Sequence, residues 1–215
     1  MSDPLTHEGR SLPGYLAPAS GTRALVLIHE WWGVNAHIKA VADRFAKAGY
    51  TTFAIDLFDG KVATTEAEAE VLRGGLDHKR AMWAIGTAQE ALAAQGKKVG
   101  VVGFCLGGAL ALSASAAHPG FLACVPFYGI GQLSAGQVRS IRARVQGHFA
   151  QRDDWCTPAK VDALAADLTA AKGRFQFHRY DAGHAFFNET RPAYSEKDAA
   201  LAFERTLGFL EETLA

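Results

Sequence analysis

The stretch VVGFCLGGAL, residues 101–110, places Cys105 between two glycines at the point where a strand pattern changes into a helix pattern. The segment Gly103-Phe104-Cys105-Leu106-Gly107 matches G-x-nucleophile-x-G, with cysteine in place of serine. A sharp strand-to-helix turn strains the backbone of the nucleophile, and the residues two before and two after it must be tiny to avoid a collision. The stretch therefore predicts a thiol that is presented above the end of a sheet.

The same turn predicts an electrostatic setting for the thiol. Cys105 would lie at the N-terminus of the next helix, where the helix dipole favours a thiolate, and the Leu106 N–H would be a natural donor to an oxyanion. Two other interpretations stay open at this point. Cys105 is a small buried hydrophobe beside glycines that allow tight helix–strand packing, or the glycine-rich turn cradles a phosphate. The phosphate interpretation is weaker, because the pattern is not GxGxxG and no P-loop lysine follows it.

Strand and helix patterns alternate along the whole chain, which predicts an α/β fold with a mostly parallel, doubly wound sheet. The strand patterns cover residues 24–29, 51–58, 98–105, 122–129, 143–151 and 175–180. The helix patterns cover residues 36–50, 64–73, 79–95, 106–118, 158–172 and 195–214. No internal repeat or Gly/Ser linker interrupts them, so we expect one domain over residues 1–215. In such sheets ligand sites lie at the carboxyl ends of the strands.

The composition limits the classes of partner. The 215 residues carry a formal net charge of +0, so no basic excess favours nucleic acid as a partner. The N-terminal segment has no apolar secretory core and no apolar run has the length of a membrane span, so we expect a cytoplasmic protein without a membrane partner. The three cysteines are scattered and form no CxxC pair, which argues against a disulfide framework and a structural zinc site.

A thiol nucleophile for acyl transfer requires a base and a group that orients the base. In hydrolases of this topology the chain order is nucleophile, acid, histidine. Asp153 and Asp154 follow a late strand, and His184 follows the next strand directly behind a glycine. Asp162, on a helix, and Asp181, very close to His184 in sequence, are weaker candidates for the acid.

The stretch LIHEWWGVN, residues 27–35, ends the first long strand with a carboxylate and two tryptophans. A simple connecting turn does not require such residues. Trp31 is a candidate for the second oxyanion N–H, from the loop where this arrangement usually places it. In the alternative interpretation, Trp31 and Trp32 only cover the sheet edge while Glu30 is solvated.

Five motifs in this order, HEWWGVN, GFCLGGAL, FYG, DDWCTP and YDAGHAFFN, make the chain from about residue 24 to its end resemble the dienelactone hydrolase family. The resemblance implies a compact α/β-hydrolase fold with about seven or eight strands and no large lid domain. It implies a cysteine-dependent hydrolase of a small ester or lactone, a carboxylic ester hydrolase that acts through a thioester acyl-enzyme. Neither a cofactor nor a metal is implied, and the partner would be the small-molecule substrate of a monomer or weak homodimer.

The resemblance also assigns roles to individual residues. Cys105 would be the nucleophile, His184 the base, and Asp154 the acid, because the family acid precedes its proline by four residues. Glu30 would interact with the resting thiol and help to produce the thiolate when substrate binds. The oxyanion hole would be formed by the N–H groups of Trp31 and Leu106. The substrate pocket would include Trp32, Tyr128, Phe186, Asn188 and Arg191.

One position departs from the family pattern. Members that cleave dienelactone carry an arginine four residues after the catalytic histidine, which binds the substrate carboxylate; here that position is Asn188. Arg191 is near but shifted, and Arg73 is only a loose candidate for a second family arginine. The catalytic machinery is therefore better supported than a dienelactone substrate. Two non-hydrolytic functions stay open: a small-ligand binding module on the same scaffold, and a thiol redox sensor that uses Cys105 with Cys156.

Overall fold

The structure, a computed structural model, describes residues 5–215; the first four residues of the N-terminal segment considered above lie outside the described residues. The strands are β1 (Thr6–His7), β2 (Arg10–Ser11), β3 (Gly14–Ala17), β4 (Arg23–Ile28), β5 (Thr51–Ile55), β6 (Lys98–Phe104), β7 (Ala123–Phe127), β8 (Arg144–Arg152) and β9 (Phe175–Gly183). The helices are α1 (Ala36–Lys47), α2 (Glu66–Gly74), α3 (His78–Ala93), α4 (Leu106–Ala117), α5 (Ala135–Ser140), α6 (Pro158–Ala170) and α7 (Glu196–Thr213). Within residues 5–215, none of these helices combines the length and the apolar character that crossing a membrane requires.

The main sheet has seven strands in the order β3-β5-β4-β6-β7-β8-β9, and all neighbours are parallel except the β3–β5 pair. This confirms the predicted α/β-hydrolase fold, with a mostly parallel sheet and, over residues 5–215, no large lid. Strands β1, β2 and β3 and the short helix α5 were not predicted from the sequence. Strand β3 has only four residues between Pro13 and Pro18, which is too short for a periodic pattern to be visible.

Both faces of the sheet are covered by helices, and the side-chain alternation along each strand divides the core into two parts. In β4, Ala24, Val26 and Ile28 face one cluster, while Leu25 and Leu27 face the other. The first cluster includes buried side chains of α3, α4 and α6, and the second includes those of α1 and α7. Strands buried on both faces lose the polar alternation of half-exposed strands, which explains the continuous apolar run of β4.

The strand order places the site. From β4 the chain passes to β5 on one side and then returns across β4 to β6 on the other side. In open α/β sheets a ligand crevice is expected at such a reversal, outside the carboxyl ends of the two strands. Ile28 pairs with Gly103, so the loop after β4 and the turn after β6 lie side by side. Glu30 and Cys105, which are far apart in sequence, thereby reach the same edge of the sheet.

Glycine at position 107 is required by close backbone packing between α4 and β4. A Cβ added there would overlap the main-chain oxygens of Ile28 and His29, which cannot move aside as a flexible side chain can. Gly208, on the exposed side of α7, offers a matched helical position where an added Cβ meets nothing within 4 Å.

We expect Gly107→Ala to lower the free energy of unfolding by at least about 2 kcal/mol, because the backbone of α4 must separate from β4. Gly208→Ala should instead raise it by about 0.5–1 kcal/mol through helix propensity. Urea unfolding followed by circular dichroism measures both values. Equal effects of the two substitutions would contradict the close-packing argument.

Candidate active site

Three non-glycine residues at the carboxyl edge of the sheet have left-handed backbone conformations. Cys105, between β6 and α4, has φ = +52° and ψ = −113°. Tyr128, directly after β7, has φ = +34°, and Ala185, directly after His184, has φ = +64°. Such conformations cost about 1–3 kcal/mol each and are found preferentially at functional sites. The Cys105 N–H donates to the Phe127 carbonyl at 3.0 Å, which ties two of the strained segments together.

A thiol, an imidazole and a carboxylate form one continuous line. The Sγ of Cys105 lies 3.1 Å from Nε2 of His184, and Nδ1 of the same ring lies 2.7 Å from Oδ2 of Asp153. The three residues follow β6, β9 and β8, respectively. Because a buried carboxylate accepts a hydrogen bond from Nδ1, that nitrogen carries a proton and Nε2 is directed to the sulfur.

The structure corrects the choice of Asp154, because Asp153 is the residue beside His184 and Asp154 is exposed. Oδ1 of Asp153 accepts hydrogen bonds from the backbone N–H groups of Trp155 and Cys156, both at 2.8 Å. This tight turn directs Oδ2 inward to the histidine. The spacing to the proline selected the neighbouring residue, whose side chain points to solvent. The weaker candidates are paired elsewhere, Asp162 with Arg179 and Asp181 with Arg152.

The charges of the histidine and the aspartate are mutually stabilised. Burial alone would lower the pKa of His184, but its hydrogen bonds with Asp153 and Cys105 outweigh burial and raise the pKa to about 10. Burial alone would raise the pKa of Asp153, but His184 and the two backbone N–H groups hold it below its usual value. The arrangement therefore favours an ionised carboxylate beside an imidazole that retains a proton readily.

Glu30 is buried behind this line and does not take the position that the resemblance implied. Its Oε1 accepts from the Tyr128 hydroxyl at 3.1 Å and its Oε2 from the Asn188 amide at 2.5 Å, while the resting thiol is hydrogen bonded to His184. Burial raises the pKa of Glu30 and, together with the nearby charge of Glu30, raises that of Tyr128 well above its usual value. The hydroxyl of Tyr128 therefore stays protonated and acts as a donor to Glu30.

The orientation of Asn188 follows from its other hydrogen bonds. Its Oδ1 accepts from the backbone N–H and the hydroxyl of Thr190, at 3.0 and 2.7 Å. The amide nitrogen must then face Glu30, because the opposite orientation would place two donors against each other at Thr190. Asn188 is fully buried and supports the carboxylate from below.

A cavity of about 270 Å³ opens above the sulfur. Its lining residues are Trp31, Arg73, Cys105, Leu106, Ala109, Tyr128, Gly129, Ile130, Trp155, Cys156 and His184. The volume is slightly below the range of about 300–1,000 Å³ that is usual for ligand pockets, which favours a small substrate. In residues 5–215 no group of three or more His, Cys, Asp or Glu side chains is arranged to hold a metal ion.

The structure brings Cys105, His184, Trp31, Leu106 and Tyr128 together at this cavity. Four predicted pocket residues do not line it: Trp32, Phe186, Asn188 and Arg191. After the strained residue Ala185 the chain enters the core. The ring of Phe186 therefore packs against Tyr128 and Tyr180 and does not face the cavity.

Trp32 and Arg191, which were also predicted to line the pocket, contact each other outside the cavity. The Trp32 ring is buried against Ala63 and Ala69, and the Arg191 guanidinium lies 3.8 Å from the centre of that ring. This cation–π contact turns the arginine away from the thiol. The exposed ring of Trp155 and the side chain of Arg73 line the cavity instead. Only the loop position of Trp155 after a strand could have indicated it from the sequence.

A profile of the dienelactone hydrolase family matches residues 12–214. Protein usf of Aquifex pyrophilus is 30% identical over 220 residues, which cover 96% of this chain and 95% of that protein. A relative from Aquifex aeolicus, with the name "Putative carboxymethylenebutenolidase", has the same identity and coverage, 30% over 220 residues, 96% of this chain and 95% of its own.

Solved structures with the same fold include m3DLH, with a TM-score of 0.80 and 26% identity over 91% of this chain and 89% of that chain. A dienelactone hydrolase-like promiscuous phosphotriesterase from metagenomic libraries superposes with a TM-score of 0.82. It is 24% identical, and the match covers 97% of this chain and 90% of that chain.

Adjacent aspartates provide a matched test of the site. We expect Asp153→Asn to lower kcat for an activated ester by about 10³–10⁴-fold, because the amide stabilises the wrong tautomer of His184. Asp154→Asn should change kcat by no more than about twofold, as expected for an exposed side chain. Steady-state kinetics of both variants, with circular dichroism as the folding control, decide between the residues. The reverse order of effects would identify Asp154 as the acid that orients His184.

The Glu30–Asn188 pair can be tested by exchanging its two side chains. Glu30→Gln replaces one of two acceptor oxygens by an NH2 group, so either the Tyr128 hydroxyl or the Asn188 amide loses its acceptor, and Asn188→Asp places a second carboxyl group against Glu30; each should lower the free energy of unfolding by about 1–3 kcal/mol. In E30Q/N188D the donor and the acceptor are exchanged, and we expect recovery of at least about 1 kcal/mol relative to the sum of the single effects. Denaturant unfolding of the four proteins measures this coupling, and strictly additive losses would contradict it.

Proposed function

Since this chain belongs to the dienelactone hydrolase family and is a hydrolase of esters or lactones, we propose that Cys105, His184 and Asp153 are its catalytic triad. The observation that carries the proposal is the unbroken line from sulfur to imidazole to carboxylate, with distances of 3.1 and 2.7 Å. The three groups have the chain order nucleophile, acid, histidine that this fold uses.

In the first half of the reaction the thiol proton passes to Nε2 of His184, and the sulfur attacks the ester or lactone carbonyl carbon. The carbonyl π electrons move to oxygen. When they return, the bond to the leaving alkoxide breaks, and the alkoxide takes the proton from Nε2. The product of this half is a thioester on Cys105. For a lactone the leaving hydroxyl stays attached to the acyl group.

In the second half, water lies between the thioester and His184. Nε2 removes a proton from this water while its oxygen attacks the thioester carbonyl, and collapse expels the sulfur, which takes the proton back. A carboxylic acid is released and the thiol is restored. The high pKa of His184, about 10, supports its role as the holder of the proton between these steps. Asp153, with its lowered pKa, remains the counter-charge throughout.

The oxyanion that forms at each attack requires donors beside the sulfur. Leu106 is the first residue of α4, so its N–H has no acceptor within the helix, and Trp31 lines the cavity from the neighbouring loop. We assign the oxyanion hole to these two N–H groups, each worth about 2.7–4 kcal/mol of transition-state stabilisation. The orientation of the β4 loop is supported by His29, whose Nε2 accepts from the Leu57 N–H at 3.2 Å.

Glu30 acts, in this proposal, as a positioning residue. It holds the Tyr128 hydroxyl, and the Tyr128 ring lies against the His184 ring with 5.2 Å between centroids and an interplanar angle of 66°. An edge-to-face contact of this kind fixes the imidazole without a further charge. The cytoplasmic location, the single domain and the monomer or weak homodimer stay predictions.

The redox alternative depends on Cys156, which lines the same cavity as Cys105. Burial and the nearby Asp153 raise the pKa of the Cys156 thiol to about 12. A thiol that resolves a sulfenic acid reacts as the thiolate, so this environment opposes a fast disulfide. The hydrolytic function is the better supported of the two.

We expect Cys105→Ala to lower kcat by at least about a thousandfold, because no acyl-enzyme can form. Cys105→Ser should be strongly impaired but should still form an ester intermediate. Rapid acid quench of the wild-type protein with a para-nitrophenyl ester, followed by peptide mass spectrometry, should locate the acyl group on the peptide that contains Cys105. Cys124→Ala, which changes a thiol inside β7, should keep that adduct. Full activity in Cys105→Ala would disprove the nucleophile.

A further inference from the structure

We infer that the cavity above Cys105 selects esters without a charged group, and that the Glu70–Arg73 ion pair on α2 sets this selectivity. The inference rests on the proposed function, in which Cys105 is the nucleophile at the floor of this cavity. It specifies the substrate class as small neutral esters or lactones with aromatic or aliphatic groups.

The walls of the cavity are predominantly apolar. Trp31 and Trp155, whose ring centroids are 6.1 Å apart, line it together with Ala109 and Ile130. Such surfaces favour aromatic and aliphatic groups through the hydrophobic effect. A carboxylate that enters an apolar cavity loses hydration, and this loss must be compensated by a cation or by hydrogen bonds.

Among the described lining residues, Arg73 is the one with a permanent positive charge, and that charge is already paired. Its Nε donates to Oε2 of Glu70 at 3.0 Å, and its Nη2 donates to Oε1 at 2.5 Å. The two residues lie one turn apart on α2, so the Glu70 carboxylate stays beside the Arg73 guanidinium. A substrate carboxylate at Arg73 would be repelled by the negative charge of Glu70.

The floor of the cavity does not supply a second cation. Asp153 and Glu30 are buried carboxylates close to the thiol, and Asn188, in contact with Glu30, is neutral. The proton held by His184 is balanced by Asp153 at 2.7 Å. An anionic substrate therefore meets an arginine and an imidazole that are both already paired, and no free cation compensates the hydration that it loses, whereas a neutral substrate has no charge to desolvate.

The first experiment compares two esters of equal chain length, para-nitrophenyl hexanoate and mono-para-nitrophenyl adipate, which carries a carboxylate in place of the terminal methyl. We expect wild-type kcat/KM to be at least about tenfold higher for the neutral ester, because the carboxylate is desolvated without a free partner. An equal or higher kcat/KM for the adipate would overturn the inference.

Variants on α2 test the role of the ion pair. Glu70→Gln frees the guanidinium and should raise the adipate-to-hexanoate ratio of kcat/KM by about two- to fivefold, the range expected for one exposed pair. Glu70→Gln combined with Arg73→Gln should lose this gain. Glu66→Gln removes the same charge from the first turn of α2 and is the matched control, with an unchanged ratio. A gain that persists in the double variant, or that appears equally in Glu66→Gln, would overturn the assignment to this pair.

A second experiment separates the failure of this inference from the failure of the proposed function, because it requires no turnover. Iodoacetamide and iodoacetate alkylate the same sulfur but differ in charge, and peptide mass spectrometry follows each reaction at Cys105. The ratio of the iodoacetamide rate to the iodoacetate rate at Cys105 should exceed the same ratio for free mercaptoethanol by about tenfold or more. Glu70→Gln should lower the ratio at Cys105. Absence of ester turnover with this ratio intact would refute the hydrolytic mechanism alone. A ratio at or below the free-thiol value would refute the charge selectivity.

Discussion

The close approach of three backbone segments around Cys105 is the constraint on which the rest of the site depends. An added Cβ at Gly103 would overlap the main chain of α4, and one at Gly129 would overlap the carbonyl oxygen of Cys105 itself. Without side chains at these positions, β6, α4 and the loop after β7 come close enough to hold the thiol at φ = +52°. The strain is sustained by packing, which over-determines the turn. Cys105 therefore projects from the sheet as a consequence of close contacts between backbone segments.

Two buried carboxylates near one thiol have different electrostatic properties because their donors differ. Asp153 accepts two backbone N–H groups and the His184 ring, and these hydrogen bonds outweigh burial and lower its pKa. Glu30 accepts from two neutral donors, the Tyr128 hydroxyl and the Asn188 amide, and burial prevails and raises its pKa. Separating the pKa values of two nearby acids through their environments is a general way to give them different roles. An arginine in place of Asn188 would remove this difference, so the departure from the family pattern changes the electrostatics beneath the site as well as substrate recognition.

How much the sequence could predict follows from the range of the interactions involved. The alternation of strands and helices, the turn at Cys105 and the position of His184 depend on local patterns, and these predictions agree with the structure. The choice between Asp153 and Asp154 depends on one backbone turn, in which the side chain of the first residue accepts from the next N–H groups. Spacing to a proline contains no information about that orientation. The pocket residues after His184 were misplaced for a similar reason, since the strained residue that follows it reverses the direction of the chain.

The proposed catalytic residues and the ion pair proposed to set selectivity lie on elements that differ in how tightly the fold constrains them. The proposed triad follows the ends of β6, β8 and β9, in the middle and on one side of a sheet whose two faces are covered, so a change there disturbs the core. Helix α2 buries only Ala69, and both members of its ion pair are largely exposed. Substitutions on such a surface usually change stability by no more than about 0.5 kcal/mol. The charge of this ion pair can therefore change at little cost in stability while the line from sulfur to carboxylate remains intact, so under the proposed mechanism the same scaffold would serve esters of different charge.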